Sequence, residues 1–253
     1  MKLRFPVSLL LALILIFPAC GKKEISPRIT PVVKIVKEQS PGVVNISTEK
    51  IILKRKEVPA SQANFDWMKD AQYQAFKMPE LGSGVLIDKE GFILTNAHVI
   101  QLSQKVFITF SDGTKVEGKI VGVNQPYDLA VIKIDPPFPL TVIAMAEPDD
   151  LMIGEPVIAL GNPFGLSSSV STGVISAIHR DLYTPQGQLV FKDLIQTDTA
   201  INPGSSGGAL LNMDGKLIGM NQIVAQQAQG IGFAIPIKMI KPLLEEFKKN
   251  YPK

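Results

Sequence analysis

The stretch NPGSSGGALLN, Asn202 to Asn212, sets two serines among three glycines and then runs straight into an apolar strand. Ser206 lies in the pattern Gly204-x-Ser206-x-Gly208, with glycine two places away on either side. A nucleophile needs that openness. The chain must turn sharply to present Oγ, and backbone N–H groups must face a developing oxyanion with no Cβ atoms in the way. A plain Gly/Ser-rich turn between strands has the same letters, so the motif decides nothing until a base is found for the serine.

Only two histidines exist, His98 and His179. His98 follows the hydrophobic run of ILTNAHVI, where a short helical turn holds it at the rim of a β structure. His179, in SAIHRD, is rimmed by charges at a strand end and reads as solvent-exposed. A base also needs a carboxylate to hold its tautomer. Asp128 in QPYDLAVIKI stands just before a strand whose apolar interior has no use for a charge, although an Asp there also serves as an ordinary turn residue. Chain order separates the alternatives. An α/β-hydrolase elbow places its histidine after the serine, and no histidine follows position 179. His98, Asp128 and Ser206 instead follow the His…Asp…Ser order of chymotrypsin-like enzymes, and a cleft between two strand series would assemble them.

Around these residues the rhythm is of short strands. GVLID and GFILT flank the turn KEG, and Asp112-Gly113 joins KVFITF to KVEGKIVGV as a hairpin. LAVIKI reads as a buried strand and DPPFP as a break. A second series begins near Glu155 with PVIALG, SVSTGVISAI, LIQTD, GALLN, KLIGMNQIV and GIGFAI. This spacing predicts two small β-barrels or a sandwich, joined near Asp135 to Pro139. Thr30-Pro31 reads as the cap and first residue of a short helix ending before Pro41, VVNIST as a strand, and PIKMIKPLLEEFKKN as a closing helix with lysines in its last turn. Lys54 to Pro79, with the aromatic residues Phe65, Trp67, Tyr73 and Phe76, reads as a long surface loop.

Composition narrows the classes. Setting aside Lys2 and Arg4 in the leader leaves 24 basic against 23 acidic residues, a balance that argues against nucleic acid as a partner. Cys20 is the single cysteine, which excludes an intramolecular disulfide, and with two histidines a structural zinc is not expected. No G-x-x-x-x-G-K-[ST] loop occurs, so no nucleotide is expected. MKLR followed by PVSLLLALILIFPA is a charged start and an apolar run; as a helix the run rises about 21 Å against a hydrocarbon core of about 30 Å, which favours a signal peptide over residues 1–20. Its end, FPAC, resembles a bacterial lipoprotein signal in which Cys20 is lipidated, with Phe17 where Leu or Val is usual. Ordinary export with Cys20 incidental, or an uncleaved anchor, are the alternatives.

TNAHV, YDLAV, LGNPFGL, QTDTAINPGSSGGALLN, DGKLIGMN and GIGFAIP together resemble the HtrA/Deg family of trypsin-like serine endopeptidases, over about residues 31 to 245. The resemblance implies an all-β fold of two six-stranded antiparallel barrels, chymotrypsin-like, with short helices at each end. A polar leader then covers 21–30 and the protease domain 31–253, with barrels at about 40–137 and 150–235 and a helix at about 236–250. It implies catalytic His98, Asp128 and Ser206, an oxyanion hole of the backbone amides of Gly204, Ser205 and Ser206, and a substrate pocket from Ile201, Ile223, Gly232 and Phe233. Ser205 stands where the family more often has Asn. The resemblance further implies no cofactor, misfolded or unfolded proteins as substrates, a homotrimer, and an exported location at a membrane surface or in the periplasm. The family usually carries PDZ domains after the protease, and this sequence stops at Lys253. A non-proteolytic chaperone module, or a protease that processes a single partner, are the competing expectations.

Overall fold

The computed structural model describes residues 28–55, 73–162, 168–222 and 230–252. Helix α1 (Pro31–Gln39) starts as its sequence dictates. Thr30 Oγ1 accepts the N–H of Val33 at 3.3 Å, and Pro31 fills the first helical position, where no N–H is needed. A 3₁₀ turn at Ser40–Gly42 delivers the chain to β1 (Val43–Arg55).

The first barrel contains β1, β2 (Tyr73–Leu86), β3 (Phe92–Thr95), β4 (Ser103–Thr109), β5 (Lys115–Asn124) and β6 (Leu129–Lys133), closed in the order β1-β2-β3-β6-β5-β4. Helix α2 (Ala97–Ile100) sits between β3 and β4. The second barrel contains β7 (Pro156–Gly161), β8 (Ser169–Tyr183), β9 (Leu189–Thr197), β10 (Ala209–Leu211), β11 (Leu217–Gln222) and β12 (Gly232–Pro236), closed as β10-β11-β12-β9-β8-β7. These are the two six-stranded antiparallel barrels of the chymotrypsin-like fold, flanked by short helices.

One expectation needs correcting. Lys54, Arg55 and Tyr73–Pro79 are strand, not loop: β1 and β2 pair without interruption from Val43 opposite Val85 to Arg55 opposite Tyr73. Antiparallel ladders are held by backbone bonds, and beyond Lys50 β1 pairs with β2 alone among the described residues. The remainder of the expected loop, with Phe65 and Trp67, lies outside the described residues, as do residues 1–27 with Cys20.

Strand alternation explains why the core strands look uniformly apolar. In β6, Leu129 and Val131 join one buried cluster while Ala130 and Ile132 join another; Phe92 and Leu94 against Ile93 do the same in β3. In the second barrel Ile158 and Leu160 of β7 separate in the same way from Val157 and Ala159. One face fills each barrel, and the other packs into a layer shared by both. Period-2 strands buried on both faces lose polar alternation.

The connection from β6 to β7 is stitched to both barrels. The Ile143 N–H donates to Leu86 O at 3.0 Å, and the Ala146 N–H to Leu217 O at 2.9 Å. Helix α3 (Ile237–Asn250) leaves the second barrel and returns across the first, with Phe247 against Gly122 of β5, Lys248 paired with Asp88, and Tyr251 edge-on to Phe92.

Candidate active site

β3 ends at Thr95, and Asn96 becomes the N-cap of α2, which raises His98 to the mouth of the first barrel. Asp128 enters from the other side. It closes the turn from Gln125 (N–H to O, 3.0 Å) in a left-handed conformation, φ +50°, immediately before β6. Its carbonyl accepts the Ala97 N–H at 3.1 Å and Asn96 Nδ2 at 3.0 Å, so the turn is locked onto the start of α2.

The Asp128 carboxylate is fully engaged. Oδ1 accepts the backbone N–H of His98 at 2.8 Å; Oδ2 accepts His98 Nδ1 at 2.6 Å and Gln222 Nε2 at 2.8 Å. A carboxylate facing Nδ1 places the ring proton there, which leaves Nε2 as an acceptor. The Asp128 side chain is 9% exposed and that of His98 39%, so the acid is covered while the imidazole reaches solvent.

Ser206 arrives from the second barrel. Ser205 N–H donates to Asn202 O at 2.9 Å, closing a four-residue turn with Pro203 second and Gly204 third. Gly204 has φ +88°, which makes the turn type II; type I would give that position a negative φ and flip the Pro203–Gly204 peptide. Gly207, at φ +81°, lets this turn press against the first barrel: a Cβ there would stand 2.2 Å from Ser83 O. Ser206 is buried, and its Oγ has no hydrogen-bond partner among the described residues. His98, Asp128, Gln222, Gly204 and Ser206 line one cleft of about 640 Å³ between the barrels, with Leu81 and Phe191 as apolar walls.

A family search matches residues 82–220 to the trypsin-like peptidase domain. A variant of the HtrA-type protease AlgW, solved with a decapeptide, superposes with TM-score 0.75 at 34% identity, covering 88% of this chain and 68% of that one. The chain belongs to the HtrA-type, trypsin-like serine peptidases. Among curated HtrA-type relatives, the periplasmic pH-dependent serine endoprotease DegQ of Escherichia coli (strain K12) is 39% identical over 212 residues, 81% of this chain and 46% of its own length. The putative serine protease HhoA of Synechocystis is 40% identical over 215 residues, 82% of this chain and 54% of its own. The chain spans about half the length of the curated relatives it matches.

Within this HtrA-type domain the remaining expected residues fall as follows. His179 is apart from the cleft, 65% exposed and bonded through Nδ1 to Asp193 at 2.6 Å. Ile201 packs over Gly232, its Cδ1 3.0 Å from where a Cβ would stand, and Phe233 is buried in the layer shared by the barrels. Ile223 lies outside the described residues. Three residues were not singled out from the sequence: Gln222, Asn96 and Ser83. Gln222 ends the wholly buried strand LIGMNQ, and a buried amide needs a partner, which was the available signal. Its partners are the Asp128 carboxylate and, at Oε1, Asn96 Nδ2.

Proposed function

We propose that this protein is an ATP-independent serine endopeptidase. The observation that carries the reading is the His98–Asp128 pair, 2.6 Å apart with its carboxylate covered, in the same cleft as a Ser206 hydroxyl that has no partner among the described residues. His98 Nε2 takes the Ser206 proton as Oγ attacks a peptide carbonyl. Asp128 holds the ring in the Nδ1–H tautomer and stabilises its charged form. The His98–Ser206 contact need not be closed before substrate enters, because catalytic hydrogen bonds tighten in the complex.

The N–H groups of Gly204 and Ser206 receive the tetrahedral oxyanion. Ser205 N–H is already given to Asn202, which leaves those two amides of the expected three. His98 then protonates the leaving amine, and water repeats the cycle on the acyl-enzyme. An S1 pocket built on Ile201 and Gly232, which bring no carboxylate, suits aliphatic side chains rather than Lys or Arg.

The substrates are unfolded or misfolded proteins; the endoprotease names of the relatives support protein as the substrate class. The protein is exported behind residues 1–20 to the periplasm or an extracytoplasmic membrane surface, tethered by lipid on Cys20. It acts as a homotrimer with the protease domain at 31–253. Digestion of unfolded β-casein by the protein and by its Ser206→Ala variant is the test. Cleavage by the parent alone supports the peptidase, and its cut sites report the S1 preference. Binding of casein without cleavage by a folded parent would replace the reading with a chaperone module.

A further inference from the structure

Ser83 of β2 is wholly buried, lies between Gly82 and Gly84, and has a hydrogen-bond partner at every polar atom. Its N–H donates to Ser206 O at 2.8 Å. Its carbonyl accepts Thr95 Oγ1 at 2.7 Å, at the end of the strand that leads to His98. Its hydroxyl donates to Gly204 O at 2.6 Å and accepts the Asn162 N–H at 2.7 Å. That assignment is forced, since a backbone carbonyl can only accept and a backbone N–H can only donate. Ser83 therefore belongs to the barrel of the base and grips the turn of the nucleophile, which the other barrel supplies.

The two gripped carbonyls flank one peptide. Gly204 O belongs to the unit joining 204 and 205, and Ser206 O to the unit joining 206 and 207. Between them lies the unit that carries the Ser206 N–H. That unit is bonded through its own carbonyl, Ser205 O, which accepts the Gly208 N–H at 3.0 Å, and Ser83 holds the units on either side of it. The grip on Gly204 O fixes the peptide that leaves this glycine, whose N–H side closes the turn to Asn202 through Ser205. Any residue at 83 keeps the backbone bond to Ser206. Only the hydroxyl holds Gly204, and without it a buried acceptor and the Asn162 donor both lose their partner.

We propose that Ser83 is a positioning residue for the oxyanion turn, holding from the opposite barrel the peptide units on either side of the Ser206 amide. The inference rests on the peptidase reading above. It is a statement about transition-state binding and not about substrate affinity, because preorganised donors act where charge develops.

The test compares the parent, Ser83→Ala and Ser83→Cys on a fluorogenic peptide spanning one mapped β-casein cut site. A peptidyl aldehyde of the same sequence serves as the tetrahedral-state probe, and melting is followed by circular dichroism. Ser83→Ala is expected to lower kcat roughly tenfold, less than the loss of about 10²-fold or more for deleting an oxyanion donor outright. KM stays within about twofold and the aldehyde Ki rises in step with the fall in kcat/KM, as expected when only a transition-state interaction is lost. The acid limb of the pH profile stays in place. Ser83→Cys, close in volume and a weaker donor, falls between the two, and it carries the test alone if the alanine variant does not fold.

An active parent with variants that match it in kcat and Ki overturns the inference and leaves the peptidase standing. So does a loss expressed in KM, or one accompanied by a moved acid limb. A parent that neither cleaves nor binds the aldehyde overturns both.

Discussion

Gln222 is the side chain on which the acid of the site depends most visibly. Asp128 Oδ2 is shared between His98 Nδ1 and Gln222 Nε2, and the far end of that amide is held by Asn96. Replacing it with an apolar residue of similar size leaves the carboxylate one donor short and takes from the buried Asn96 amide one of its two acceptors. A buried polar group left without its partner costs about 1–3 kcal/mol. Gln222→Leu is therefore expected to lower kcat/KM roughly tenfold, on the scale of about 1.4 kcal/mol per decade, while Gln222→Glu, which offers no amide donor, does no better. Steady-state kinetics on the casein peptide, with melting temperatures as the control for folding, decides this; Gln222→Leu at parental activity would remove the residue from the machinery.

Helix α3 shows how an element is attached by charge as well as by packing. Lys238 in its first turn pairs with Asp193 of β9 at 2.6 Å, and the same carboxylate takes His179 from β8. His179 and Asp193 both adopt left-handed backbone, φ +58° and +61°, in a stretch where the β8–β9 register shifts repeatedly. Burial is the largest influence on the Asp193 carboxyl and pushes it up, but the hydrogen bonds and charges of Lys238 and His179 together hold it below its ordinary value. The sign follows from linkage: a depressed acid stabilises the fold above its unfolded pKa of about 3.9 and loses that contribution as pH falls through the folded value. Asp193→Asn is thus expected to melt earlier than the parent at pH 7, with the gap narrowing as pH drops below about 4. Paired thermal melts at pH 7 and pH 3 provide the check, and an equal gap at both would exclude the ion pair as its source.

Across the full molecule the layer between the barrels matters more than either barrel interior. Val85, Phe92, Leu94, Leu129 and Val131 from one barrel meet Ile158, Leu160, Ala209 and Leu211 from the other in one buried cluster, which also takes Ile35 from α1 and Ile240 and Leu244 from α3. Each barrel interior is a smaller cluster of its own. Barrels sharing so much core should not unfold separately, because opening either exposes the common layer. Calorimetry is expected to give one transition with equal calorimetric and van't Hoff enthalpies. Leu160→Ala, at the centre of that layer, is expected to cost about 3 kcal/mol and to shift the single transition as a unit. Two resolved transitions would show that the barrels are independent.

Much of this was legible in the residues themselves. The α1 cap at Thr30-Pro31, the hairpin at Asp112-Gly113, the two strand series and the chain order of His98, Asp128 and Ser206 are local or ordinal signals, which short stretches of chain can carry. Other features were not legible, for a common reason: they arise where segments distant in sequence meet, and no single segment bears their mark. Strands buried on both faces lose the polar alternation that would say which side of β6 or β7 fills a barrel and which joins the shared layer. The β1–β2 arm is held by backbone bonds, to which side-chain pattern is indifferent. Nothing in the sequence singled out Ser83 or Gln222; only closure of both barrels set one against the carbonyls of Gly204 and Ser206 and the other against Asp128. The sequence by itself determined which chemical groups are present and in what order they are strung. Tertiary structure alone decided which of them touch, because burial at the barrel interface takes water away and leaves polar atoms to partners drawn from distant segments.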